Sequence, residues 1–90
     1  MSVTIGPTTF DRVSYDREVD VLYLSVGDPR LAVRLDESAE AHALRYDEQG
    51  RLVGITIVNA QDLLDREGAI VVTPPQLRVE ADELGSALAA

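Results

Sequence analysis

The chain has no cysteine and no tryptophan, and without a thiol it can form neither a disulfide nor a cysteine-ligated zinc site. Lysine is missing too, so all 8 basic groups are arginine. Against 16 acidic groups they leave a formal charge of -8, a balance that repels a phosphate backbone and excludes direct nucleic-acid binding as an expected role. The excess acid is spread along the chain and forms no separate tail. No apolar run reaches the ~20 residues that cross a bilayer as a helix. Met1-Ser2-Val3-Thr4 lacks the basic start and apolar stretch of a secretory leader, so the expected location is cytoplasmic and no membrane partner is expected. What remains is an ordinary globular composition, 46% hydrophobic and 27% charged, which predicts a folded chain. Ninety residues allow one small core, at a size where folding buries only ~60% of the unfolded chain's surface.

Residues 1–11 have no sustained hydrophobic period and read as a mobile N-terminal arm or edge strand; 12–90 read as a single domain. Val13 and Tyr15 alternate, and after a turn over Asp16–Asp20 the run Val21-Leu22-Tyr23-Leu24-Ser25-Val26 reads as a strand. Leu22, Leu24 and Val26 share one side, because side chains alternate across a pleat. Gly27-Asp28-Pro29-Arg30 is a turn by composition. Leu31, Val33 and Leu35 then alternate with polar residues and predict a strand with Leu31, Val33 and Leu35 inward. A weaker strand, Ala41–Tyr46, enters a hairpin at Asp47-Glu48-Gln49-Gly50, where Asp47 can bond the following backbone and Gly50 can take positive φ. Arg51–Val58 is apolar on both sides, Val53, Ile55 and Ile57 on one and Leu52 and Val58 on the other, and is the expected sheet centre. Asn59 is the expected cap of a helix that Gly68 ends. Ala69–Thr73 is a last β-like run, Leu77–Val79 reads as extended, and Ala81–Leu88 reads as a second short helix. The predicted class is α+β, a small antiparallel β-meander sheet with one or two short helices toward the C-terminus.

Two stretches resemble a known family. Tyr15-Asp16-Arg17-Glu18-Val19-Asp20-Val21-Leu22-Tyr23-Leu24 looks like the opening motif of the domain of unknown function 2283 family of small bacterial proteins. Tyr46 through Ala60, an Asp-containing turn followed by Gly and an aliphatic strand, resembles its second motif. The resemblance implies a β-meander followed by a helix and implies no activity. Arg45 stands where the family frequently has Asp, and Thr56 where it frequently has Glu.

The candidates for chemistry are few. His42 has no second His or Cys to complete a metal site, and no nucleophile-base pair surrounds it, so a structural role is expected. Asp16, Glu18 and Asp20 can converge on a cation if their segment is extended, but an acidic turn facing water is the simpler reading, since both sides of the segment are polar. Asp47–Gly50 does not extend to a calcium loop, whose twelfth position, here Val58, must supply a bidentate carboxylate. No catalytic, cofactor-binding or metal residue is therefore assigned, and a non-enzyme is expected. Because several strands are apolar on both faces and neither disulfide nor metal is available to a small fold, the expected role is a self-associating β-domain, a homodimer or higher, with Tyr23, Leu52 and Val58 at the interface. The alternative is an acidic module that neutralises a small basic protein partner, as antitoxins do, an expectation resting on charge alone.

Overall fold

The computed structural model describes residues 2–4, 8–28, 30 and 32–72, together with the backbone of 5 and 77–80. Its elements are β1 (Val3–Ile5), β2 (Thr8–Phe10), β3 (Arg12–Asp16), β4 (Val21–Ser25), β5 (Arg34–Glu37), β6 (Ala43–Tyr46), β7 (Leu52–Val58), α1 (Ala60–Glu67), β8 (Ala69–Val72) and β9 (Leu77–Glu80). Five strands form one antiparallel sheet in the order β3-β4-β7-β6-β5, and β1-β2 and β8-β9 are separate two-stranded ribbons. The protein is thus an α+β β-meander, with the doubly apolar β7 at the middle of the main sheet. The second helix expected over Ala81–Leu88 lies outside the described residues.

Among the described residues one face of the sheet is covered and the other is open. Leu22 and Leu24 lie opposite Ile57 and Ile55, and Leu44 lies opposite Ile55. All five are buried, and Ala60 and Leu64 of α1, Ile70 and Val72 of β8, and Val3 and Phe10 of the N-terminal ribbon complete the cluster. Burial of side chains this size contributes about 1.5–3 kcal/mol each. The N-terminal segment therefore adds more than an arm would. Val3 pairs with Phe10, and Phe10, the chain's one phenylalanine, is fully buried.

Two registers differ from the alternation expected of them. Val33 and Leu35 are 62% and 68% exposed, and all of β5 faces solvent. The turn into β6 sets this: the Ser38 N–H donates to the His42 carbonyl, the His42 N–H donates to Ser38 Oγ, and Ala41 takes φ 70°. That closure places Leu35 opposite Arg45 and Asp36 opposite Leu44, and a one-residue choice of register moves a whole strand's side chains to the other face. Leu31 lies outside the described residues. On β7 the pairing with β6 shifts between Arg45 and Tyr46, so Gly54 faces Arg45 but Leu52 faces Tyr46. The extra residue of this bulge turns Leu52 toward the core, where it packs partly buried, and so separates it from Val58.

Phe10→Ala is expected to cost about 3–5 kcal/mol, as for a large aromatic removed from a packed core. Urea unfolding measures it, and a loss below about 1 kcal/mol would mean that the ribbon does not carry the core.

Candidate functional site

The acidic turn between β3 and β4 is a junction. Asp20 sits at φ 56°, a left-handed conformation that Asp tolerates better than most residues. Its Oδ1 accepts hydrogen bonds from the Tyr15 hydroxyl at 2.7 Å and the Gln61 N–H at 2.8 Å, its Oδ2 accepts from the Asp62 N–H at 3.2 Å, and its carbonyl accepts from the Ala60 N–H at 3.2 Å. These are the first N–H groups of α1, which have no partner within the helix. Asp20 therefore caps the helix across more than 40 residues of sequence. Asn59, the expected cap, is left-handed at φ 57° and makes no side-chain cap bond; its carbonyl starts the helix by accepting from the Leu63 N–H. Gly68 ends the helix as expected, left-handed, with its N–H on the Leu64 carbonyl.

Partial burial of Asp20 favours the protonated form, but the Gln61 N–H, the Tyr15 hydroxyl and the Asp62 N–H outweigh it and hold the carboxyl below its ordinary value. The same bond to Asp20, seconded by burial, raises the Tyr15 phenol. Asp16 and Glu18 do not join Asp20 around a cation. Asp16 Oδ1 accepts the Glu18 N–H at 3.1 Å, and both residues are exposed. Among the described residues no group of three His, Asp or Glu side chains is placed to hold a metal ion.

The hairpin is organised by Asp47, whose Oδ1 accepts the backbone N–H groups of Gln49 and Arg51 while its Oδ2 takes the Arg51 guanidinium at 2.8 Å. Gly50 turns the chain at φ 77° with open space around the position of a Cβ. Beside it lies a cleft of about 870 Å3 between β2, the β4–β5 link and the hairpin. Both guanidiniums that line it are engaged, Arg51 on Asp47 and Arg30 on Asp28, so the cleft's cations are already paired.

His42 is 2% exposed, and its Nδ1 has no hydrogen-bond partner. Burial pushes its pKa below the ordinary 6.5, with Glu40 pulling weakly the other way. It precedes β6 by one residue and lies on the same side as the buried Leu44 and Tyr46, in keeping with the structural role expected of it.

The open face of the sheet gathers the remaining candidates. Strand pairing puts Ser14, Tyr23, Thr56, Ala43 and Glu37 in one cross-strand row and Arg12, Ser25, Gly54, Arg45 and Leu35 in the next. Tyr23 and Val58 are 44% and 42% exposed on this face. Of the three expected interface residues it thus brings Tyr23 and Val58 together and leaves out Leu52.

Two experiments test these assignments. Asp20→Ala should destabilise the protein by about 1–2 kcal/mol, the worth of a helix N-cap, while Asn59→Gly should cost nothing, since it removes no cap bond and relaxes a left-handed residue; the opposite order would refute the junction. For His42 the fold holds the neutral form, so below about pH 6.5 the unfolded chain takes up a proton that the folded chain refuses, and stability falls as pH falls. His42→Leu should flatten that slope between about pH 5 and 7, and an unchanged slope would show that the imidazole titrates freely.

No curated protein and no solved structure matches the chain. Residues 12–61 match the family described as Protein of unknown function (DUF2283). That segment runs from the first residue of β3 to Gln61, so it contains the whole five-stranded sheet and the helix amide that Asp20 receives. Covering more than half of the 90 residues, the match shows that the chain belongs to this family of unknown function.

Proposed function

We propose that this domain acts through its surfaces, as a self-associating β-sheet protein, and that it has no catalytic role. The observation that supports this reading is the one-sided core: α1 and the two ribbons cover one face of the sheet, while Tyr23, Val58 and Leu35 stand exposed on the other. Large side chains on an uncovered sheet face mark an interaction surface more often than a solvated one. Ala69–Val72, which by composition also asks for a partner, does not contribute, because Ala69, Ile70 and Val72 are already buried within the chain. A basic protein partner is a second reading, supported by the exposed acids Asp16, Glu18, Asp62, Asp65 and Glu67 on the β3–β4 turn and α1. It would use a different part of the surface, so acid-to-amide changes at Asp62 and Asp65 would weaken it and leave self-association intact.

Light scattering on protein at about 10 to 500 micromolar should report a mass rising toward twice 9.8 kDa, with Tyr23→Asp and Val58→Asp each holding the mass at the monomer value. A wild-type chain that stays at 9.8 kDa across this range would overturn the reading.

A further inference from the structure

The two cross-strand rows of the face opposite the core have a size and charge pattern that fits a second copy of the chain. In the first row Tyr23 on β4 and Ala43 on β6 flank Thr56 of the central strand, with Ser14 and Glu37 at the rims. In the second, Ser25 on β4 and Arg45 on β6 flank Gly54, with Arg12 and Leu35 at the rims. Each row therefore sets a large side chain and a small one at equal distances from β7. Among the described residues Arg12, Arg45 and Glu37 take part in no ion pair.

Consider two such faces packed about a twofold axis running along β7. Strand β4 of one protomer then faces β6 of the other, and β3 faces β5. Tyr23 then lies over the partner's Ala43, and Arg45, whose stem covers Gly54 of its own chain, faces the partner's Ser25. At the rim Arg12 meets the partner's Leu35, with the partner's Glu37 next along the same face, two residues and about 6.8 Å away, within reach of a guanidinium. A twofold axis perpendicular to the strands and passing through the first row instead opposes Tyr23 to Tyr23 and Glu37 to Glu37, a steric conflict and a like-charge contact. Nearly aligned strands are also a regular geometry for stacked sheets.

Resting on the self-association proposed above, we infer that the open face is an isologous interface for a second copy of this chain, with the axis along β7 and an Arg12–Glu37 ion pair made twice across it. Five strands at ~4.8 Å by about five residues at ~3.4 Å give a projected face of about 400 Å2. Counting side-chain relief, that corresponds to burial on the order of 1,000 Å2 over both partners, the low end of specific interfaces. The dimer is accordingly a concentration-dependent one.

The test is a charge-reversal pair read by sedimentation equilibrium, with circular dichroism to show that each variant is folded. Arg12→Glu and Glu37→Arg should each weaken the wild-type dimer about tenfold or more, through repulsion at the rim. Mixing the two variants in equal amounts should restore dimerisation, because each then supplies the sign the other lacks. Ala43→Tyr, which opposes two tyrosines across the interface, should also abolish the dimer. A wild-type dimer indifferent to both charge reversals and to Ala43→Tyr would overturn this arrangement while leaving self-association standing. A wild-type chain that never dimerises would overturn both.

Discussion

Asp20 accepts from the hydroxyl of the strand before it and from the backbone at the start of a helix more than 40 residues later, and the rest of the architecture follows from that one carboxylate. The helix is only eight residues long, too short to be stable by its own propensity, so its position depends on the face it buries and on the satisfaction of its first N–H groups. A negative charge at a helix N-terminus is favoured by the helix dipole as well as by hydrogen bonding. The β3–β4 turn supplies that charge, and the Tyr15 hydroxyl orients it. Ala60 and Leu64 are then held in the buried cluster that includes Leu22 and Ile57, and the following Gly68 sends the chain back through Ile70 and Val72 to close the same core.

Among the described residues, covering one face so economically leaves the other exposed. Ninety residues with one short helix among the described elements and 4% aromatic content provide one layer over the sheet, and the N-terminal ribbon with Phe10 is recruited to complete it. The open side carries Tyr23, Val58 and Leu35 exposed among serine, threonine and arginine side chains. On the proposed reading, it is through this side that a chain without cysteine, and with no metal-holding cluster among its described residues, gains the additional burial that small folds often draw from such cross-links. The alternation of large and small side chains about β7 gives that side an orientation as well as an area.

How far the sequence discloses this can be read from particular residues. The strands Val21–Ser25 and Leu52–Val58, the Asp47–Gly50 turn and the Gly68 helix stop are local, each set by alternation or by a residue suited to positive φ, and all stand where the pattern puts them. The cap of α1 is not local. Asn59 occupies the place where a capping residue belongs, and no feature within the helix indicates that Asp20 performs the task. The inward turn of Leu52 depends on a bulge set by pairing with β6, and the exposure of Leu35 depends on the Ser38–His42 closure. Both are properties of registration between strands, which a single strand's alternation does not encode. Phe10 was hidden by its surroundings of Thr and Gly, although a lone phenylalanine in a chain this poor in aromatics is itself a signal for the core.

The claim that Asp20 joins sheet to helix is tested most directly by following the backbone amide resonances of Gln61 and Asp62 through an acid titration. Both should shift together with one apparent pKa below the ordinary aspartate value of 3.8, and both shifts should vanish in Asp20→Asn, because the proton they report is Asp20's own. Amides that titrate at the ordinary value, or that keep their shift in the variant, would contradict the account.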